Sequence, residues 1–429
     1  HVDVCREDTE FRLTFTWITD QGELPFTAGV NLNDEDLDSR LAFVRQALLE
    51  CATSETLSKN LENGDSQGLR QLARMGNNLW NLIFNLNPGS AIHSIGEMLR
   101  DKPLPEGALI QISSDAKAAE FVLTWNLLYD RPLGFDESAE IDPMGFWGLR
   151  YIIEQRVPGK VLDTDVPVTI GPELEAGFFS WHFDELQNHR AFVEGLSAPP
   201  KLTVPHYDSR PKALVYLEKF RSHILYFFTH GHTQVLNSAS YATSHEPWMN
   251  WYNKLPKDSE ARRTFADLHE NIVNGTLYQV HSHIQLRFGR IFLEELYGSS
   301  LYWKSRPIVF LNMCQSAQVT PSFSQSFVHF FLTRGAEGVI GTECSMNPLF
   351  AAHFGEAFLE DLLSGEPTGA ILLQLRRRYM QIGNPLGLAY TLFGRATSSI
   401  QPPILVRADA AKATTLIVSK VEGEQDARK

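Results

Sequence analysis

Two stretches decide the fold: His223-Ile224-Leu225-Tyr226-Phe227-Phe228-Thr229-His230-Gly231-His232 and Pro307-Ile308-Val309-Phe310-Leu311-Asn312-Met313-Cys314. Each is a short apolar run with no polar face, the pattern of a strand buried on both sides. Each ends on a side chain able to do chemistry, a histidine in one case and a cysteine in the other. In a parallel sheet, sites form beyond the carboxyl ends of the strands. If the two runs are neighbouring parallel strands, His230 and Cys314 share one rim.

Outward from these runs the pattern alternates. Toward the C-terminus, helices are expected over 286–297, 323–333, 349–363 and 368–380, with strands over 338–341 and 388–392. Toward the N-terminus, strands are expected over 168–170 and 202–204, with helices over 184–196 and 211–220. Residues 10–18 alternate in the strand manner and are followed by a turn-rich stretch. Leu37, Leu41, Val44, Leu48 and Leu49 recur at helical spacing, as do Leu69, Leu72, Met75, Leu79, Leu82 and Ile83. Residues 109–112 read as a short buried strand and 115–128 as a helix. Strands alternating with helices imply an α/β fold whose mostly parallel sheet is covered on both faces.

The chain of 429 residues is long enough for two domains. We expect an N-terminal α/β unit over 1–165 and a second unit over 166–406. The polar stretch 233–280 is an insertion in the second unit, and 407–429 forms a tail rich in Ala, Lys, Glu and Asp. With 38 basic against 51 acidic residues the net charge is −13, which argues against direct nucleic-acid binding. No apolar run approaches the length of a membrane span. The four cysteines, Cys5, Cys51, Cys314 and Cys344, form no C-x-x-C pair, so neither a zinc ribbon nor a disulfide framework is expected. A reducing, cytoplasmic setting fits that usage. No leader is visible, and the sequence opens on His1 rather than Met, which leaves room for an upstream segment.

Cysteine attacks as the thiolate, and a neighbouring imidazole takes its proton. Gly231 directly follows the histidine, where its lack of a side chain lets backbone approach a substrate. On spacing alone, a lone cysteine at a strand end such as Cys314 is more often a small buried residue than a nucleophile. His230-Gly231-His232 and His281-Ser282-His283 are two His-x-His pairs, which on a strand put both rings on one face, as a metal site requires. No acidic ligand pattern accompanies them, so a metallohydrolase is the lesser reading and no metal is assigned. Arg376-Arg377-Arg378 reads as a solvated helix face. Cys344 also follows an apolar strand and reads as packing near the pocket.

The run Leu225 to His232 resembles the strand-then-His-Gly signature of CHAT-domain peptidases, relatives of caspases and separase within clan CD. The run Val309-Phe310-Leu311-Asn312-Met313-Cys314-Gln315-Ser316-Ala317 is similar to their strand-then-Cys signature. Thr124 to Asp130, Phe331 to Gly341, Gly355-Glu356-Ala357-Phe358 and Asn384 to Leu388 are similar to further family elements in the same order, so the resemblance covers about residues 70–400. It implies a caspase-like α/β/α sandwich and a cysteine endopeptidase with Cys314 as nucleophile and His230 as base. Gly231 and Cys314 supply the oxyanion N–H groups, and no cofactor is needed. It also implies that residues 1–165 correspond to a catalytically dead caspase-like unit. The partners implied are a protein substrate and an activating sensor or partner protein, as in bacterial defence systems. A silent caspase-like scaffold is the non-enzymatic alternative.

In several caspase-like peptidases an acid two residues before the nucleophile selects a basic P1 side chain. Asn312 stands there, which weakens the expectation of strict Arg or Lys preference. Glu343 is placed to restore an acid from the next strand end. Asn312, Glu343 and Cys344 are therefore the expected pocket residues. The segment Thr342 to Asn347 departs from the family's usual Trp-Pro type.

Overall fold

The computed structural model describes residues 1–400 except 8–9, 20–21, 31, 33, 55, 58–63, 116–117, 119–122, 135–139, 157–173, 182–186, 197–201, 220, 233–281, 315 and 317–325. The expected strand at 168–170, the insertion at 233–280 and the tail lie outside the described residues.

The N-terminal part contains strands β1 (Val2–Glu7), β2 (Glu10–Thr19) and β3 (Gly22–Val30), then helices α1 (Asp34–Thr53), α2 (Ser66–Phe84) and α3 (Ala91–Asp101). Strand β4 (Leu109–Ser114), the short helix α4 (Trp147–Arg150) and strand β5 (Ile152–Gln155) complete it. The remainder runs β6 (Leu174–Ser180), α5 (Gln187–Gly195), β7 (Leu202–Thr203), β8 (His206–Tyr207), α6 (Arg210–Leu217), β9 (Ile224–Phe228) and β10 (His230–His232). Then come β11 (His283–Leu286), β12 (Gly289–Phe292), α7 (Leu293–Tyr297), β13 (Ile308–Asn312), α8 (Phe327–Thr333) and β14 (Gly338–Thr342). Helices α9 (Pro348–Leu363) and α10 (Thr368–Gln381) lead to β15 (Tyr390–Gly394).

One large sheet runs through both parts, in the order β3-β2-β1-β4-β5-β15-β14-β13-β9-β6-β7, with β8 also on β6. β6, β9, β13 and β14 are mutually parallel along the row. β15 runs against β14, while β5, β4 and β1 run with β15. From β7 to β1 the sheet is thus two parallel blocks pointing in opposite directions, and β2 and β3 extend it as an antiparallel pair. The carboxyl ends of β9 and β13 lie on the rim opposite those of β4 and β5. The N-terminal strands join the rest through the pair Phe393 and Gln155.

Strand periodicity explains why both faces are covered. Ile224, Tyr226 and Phe228 of β9, with Ile308 and Phe310 of β13, face a core built with α9 and α10. Leu225, Phe227, Val309 and Leu311 face a second core built with α6, α7 and α8. This is the expected α/β/α sandwich with a mostly parallel sheet. Leu37, Leu41, Val44 and Leu48 of α1 are buried in the first core, as their spacing requires.

Several expectations need correction. The turn-rich stretch after β2 is strand β3, paired residue for residue with β2; its glycines and Pro25 sit on an exposed sheet edge, where proline is tolerated. The helix expected over 115–128 is, among the described residues, only a 3-10 turn at Trp125–Leu127. Leu123 to Asp130 are all buried, so no solvent face imposes helical periodicity there. The first half of the helix expected over 286–297 is a hairpin, β11–β12, whose turn uses Gly289 at φ +110°. Arg376 is not solvated: it is buried and donates to the Gly148 and Tyr390 carbonyls, while Arg377 donates to Leu149 and Arg378 is exposed. Among the described residues no helix is long and apolar enough to cross a membrane.

Candidate active site

The register of the sheet brings the reactive groups together. Ser180 of β6, Phe228 of β9 and Asn312 of β13 are level partners at their strand ends. Two residues beyond the last two stand His230 and Cys314, and one residue beyond Ser180 stands Trp181. The Trp181 N–H donates to the Phe228 carbonyl at 3.0 Å, and its ring meets His230 edge-on at 5.2 Å. The loops are in direct contact. A Cβ added to Gly231 would lie 2.9 Å from Met313 Sδ and 3.1 Å from the Cys314 carbonyl oxygen. The absence of a side chain at Gly231 is what permits this approach.

The cysteine turn is fixed from below. Ser316 Oγ donates to the Leu311 carbonyl at 2.6 Å and accepts from the Thr342 N–H at 2.9 Å. Thr342 Oγ1 donates to the Met313 carbonyl at 2.6 Å. Thr229 Oγ1 donates to Met313 Sδ at 3.6 Å, tying the histidine strand to the same turn. Neutral hydroxyl bonds of this kind set geometry without adding charge beside the thiol.

Burial governs the electrostatics. It pushes the Cys314 thiol up to about 11, against hydrogen bonding from the Met346 N–H and the Ser345 hydroxyl, which favours the thiolate. Burial, with nearby His283 adding to it, takes His230 down to about 4. At neutral pH both groups are therefore uncharged in this conformation. The cleft between them is lined by Phe228 to His230, Asn312 to Cys314, Met346, Pro348 and Ala351.

The expected pocket residues are placed differently from one another. Asn312 borders the cleft, but its amide is fully engaged: it donates to Tyr226 Oη at 3.0 Å and the Ala351 carbonyl at 2.7 Å, and accepts from Tyr390 Oη at 2.8 Å. Glu343 is buried away from the cleft lining, accepting from Arg45 at 3.1 Å and Thr391 at 2.9 Å. Its carboxylate is thus committed to the fold and does not stand free as a P1 acid. Cys344 is buried with its sulfur 3.8 Å from Met346 Sδ, and burial holds its thiol well above the ordinary range. His283 pairs with His232 across β10 and β11, so one histidine of each His-x-His motif meets the other on a small sheet; His281 lies outside the described residues. Among the described residues no group of three or more His, Cys, Asp or Glu is arranged to hold a metal.

Three residues of the site escaped the sequence reading. Trp181 follows β6, a strand not anticipated although its Phe178-Phe179 pair is the same kind of apolar signal as the runs before His230 and Cys314. Ser345 and Met346 lie in the segment flagged only as a departure from the family pattern. Their approach to Cys314 depends on how β14 hands over to α9, which local sequence does not encode.

No protein-family model matches the chain. Over 273 residues, 58% of this chain, it is 28% identical to "Probable protease" of Vitiosangium sp. (strain GDMCC 1.1324). The chain spans only 29% of that relative's length. Among solved structures, it aligns with the Arg-specific cysteine proteinase gingipain R at a TM-score of 0.39 and 12% identity, covering 80% of this chain and 79% of that one. It aligns with the complex of Porphyromonas gingivalis RgpB pro- and mature domains at a TM-score of 0.40 and 10% identity, covering 79% of each. By its sequence, then, this chain is similar to part of a protein described as a probable protease.

Proposed function

We propose that the chain is a cysteine endopeptidase of the caspase-like, CHAT type, held latent in the conformation described. The carrying observation is that His230 and Cys314 each stand two residues beyond the level ends of adjacent parallel strands. In this reading Cys314 Sγ attacks the scissile carbonyl carbon. His230 takes the thiol proton and returns it to the leaving amine. The Gly231 and Cys314 N–H groups receive the developing oxyanion, and the chemistry calls for no cofactor. The residues 1–165 form the catalytically dead unit, and a protein substrate and an activating partner complete the system, in bacterial defence or signalling.

Latency is supported by the uncharged states of His230 and Cys314. The same features favour a second reading, a silent scaffold. Mapping an iodoacetamide probe on wild type and His230→Ala separates the two. An active enzyme, once its partner is added, labels fast at Cys314, and His230→Ala slows it. Equal, slow labelling of both proteins with every candidate partner favours the scaffold, and preferential labelling of Cys344 removes Cys314 from its role. Peptide-library cleavage restricted to P1 Arg or Lys would contradict the neutral-pocket expectation at Asn312.

A further inference from the structure

The segment Glu343 to Met346 connects the nucleophile to the N-terminal part of the chain. At one end, Met346 lines the cleft beside Cys314. At the other, the Glu343 carboxylate is buried and receives both Nε and Nη2 of Arg45, at 3.2 and 3.1 Å, from helix α1. Thr391 Oγ1 donates to its second oxygen at 2.9 Å, and the Glu343 N–H donates to the Ala389 carbonyl at 2.9 Å. Cys344 and Ser345 between them are buried, as is Met346, so a displacement at Glu343 is felt along a packed segment. A buried carboxylate deprived of its guanidinium partner either takes up a proton or moves toward water.

We infer that Arg45 is a positioning residue for the nucleophile: by fixing Glu343 it holds Ser345 and Met346 against Cys314, so that the docking of α1 sets how readily the thiolate forms. This rests on the peptidase reading above and goes beyond it by giving the N-terminal part a specific role in the site. The groups facing the segment from neighbouring elements are Arg45 and Cys51 on α1, Cys314 beyond β13, and Tyr390 on β15; His230, beyond β9, faces the same cleft. Arg45 and Glu343 both act on Cys344, but neither is among the charges acting directly on Cys314. The segment's backbone is thus the direct covalent route by which Arg45 can act on Cys314.

The test is the pH profile of Cys314 alkylation by iodoacetamide in the full chain, for wild type, Arg45→Met, Arg45→Lys and Glu343→Gln, each with its thermal midpoint. Loss of the two donors at the sulfur is expected to slow alkylation about tenfold at a fixed pH below the midpoint in Arg45→Met, an upward shift of about one pH unit. Glu343→Gln, which retains a group for Thr391 to bond, is expected to shift the same way, and Arg45→Lys less. A fall in thermal midpoint with unchanged profiles in Arg45→Met and Glu343→Gln would show that the ion pair only stabilises the fold, and would overturn the inference. If Arg45→Met does not fold, Glu343→Gln alone decides. Because the readout is thiol chemistry and not peptide cleavage, a failure of the peptidase reading shows separately, as no effect of His230→Ala on labelling under any condition.

Discussion

Replacing Gly231 by alanine tests the contact on which the candidate site depends. The new methyl would sit 2.9 Å from both Cγ and Sδ of Met313 and 3.1 Å from the Cys314 carbonyl oxygen. The Met313 side chain is buried, but its thioether is flexible and gives some room. The carbonyl cannot give without moving the cysteine turn, which Ser316 and Thr342 hold from below. Overpacking of this kind costs about 1–3 kcal/mol. Against that, Gly→Ala at a position where glycine freedom is unneeded returns about 0.4–1 kcal/mol through the unfolded chain. A net loss of about 1–2 kcal/mol is expected in urea unfolding, together with a changed rate of Cys314 alkylation. Met313→Ala alone costs about 2–5 kcal/mol by leaving a cavity. The new methyl fills part of that cavity, so the double variant should lose less than the sum by at least about 0.5 kcal/mol. Strict additivity, with Gly231→Ala as stable as wild type and Cys314 unaltered, would refute the claim that these loops touch.

Other consequences are open to direct measurement. His230 stays neutral down to about 4, whereas the unfolded chain protonates it from the ordinary 6.5, so its contribution to stability is lost as pH falls through that window. His230→Gln should therefore lose less stability than wild type between pH 6.5 and 4 in urea midpoints; parallel curves would count against a desolvated imidazole. Asn312→Asp puts an oxygen where Nδ2 now donates to the Ala351 carbonyl, and should cost about 1–3 kcal/mol without creating cleavage after Arg or Lys. Gain of that cleavage in a stable variant would mean the side chain is free to serve a pocket. Arg376→Met strands the Gly148 and Tyr390 carbonyls and should lower the thermal midpoint clearly, whereas Arg378→Ala, at an exposed position, should change stability by less than about 0.5 kcal/mol. Equal effects would restore the view of this basic run as one solvated face.

What the sequence determined by itself were the buried parallel strands and the residues that follow them. An apolar run with no polar face has one low-energy solution, burial on both sides, and the chain must then emerge at a rim. That logic placed His230 and Cys314 on one rim; singling them out as a reactive pair rested on the family resemblance. Helices α1, α2, α9 and α10 were legible for a similar reason, since each presents apolar side chains to a neighbouring layer. Strand β3 was not legible, because an exposed edge carries little pattern, and the 123–130 segment was not, because burial on every side erases periodicity. Only the tertiary structure decided which polar groups are free. Asn312, Glu343 and Arg376 each looked available from sequence, and each is consumed by partners far along the chain: Tyr226 and Tyr390, Arg45, and Gly148. A buried polar group must be satisfied wherever a partner can be found, and that partner is set by the packing of layers rather than by neighbours in sequence.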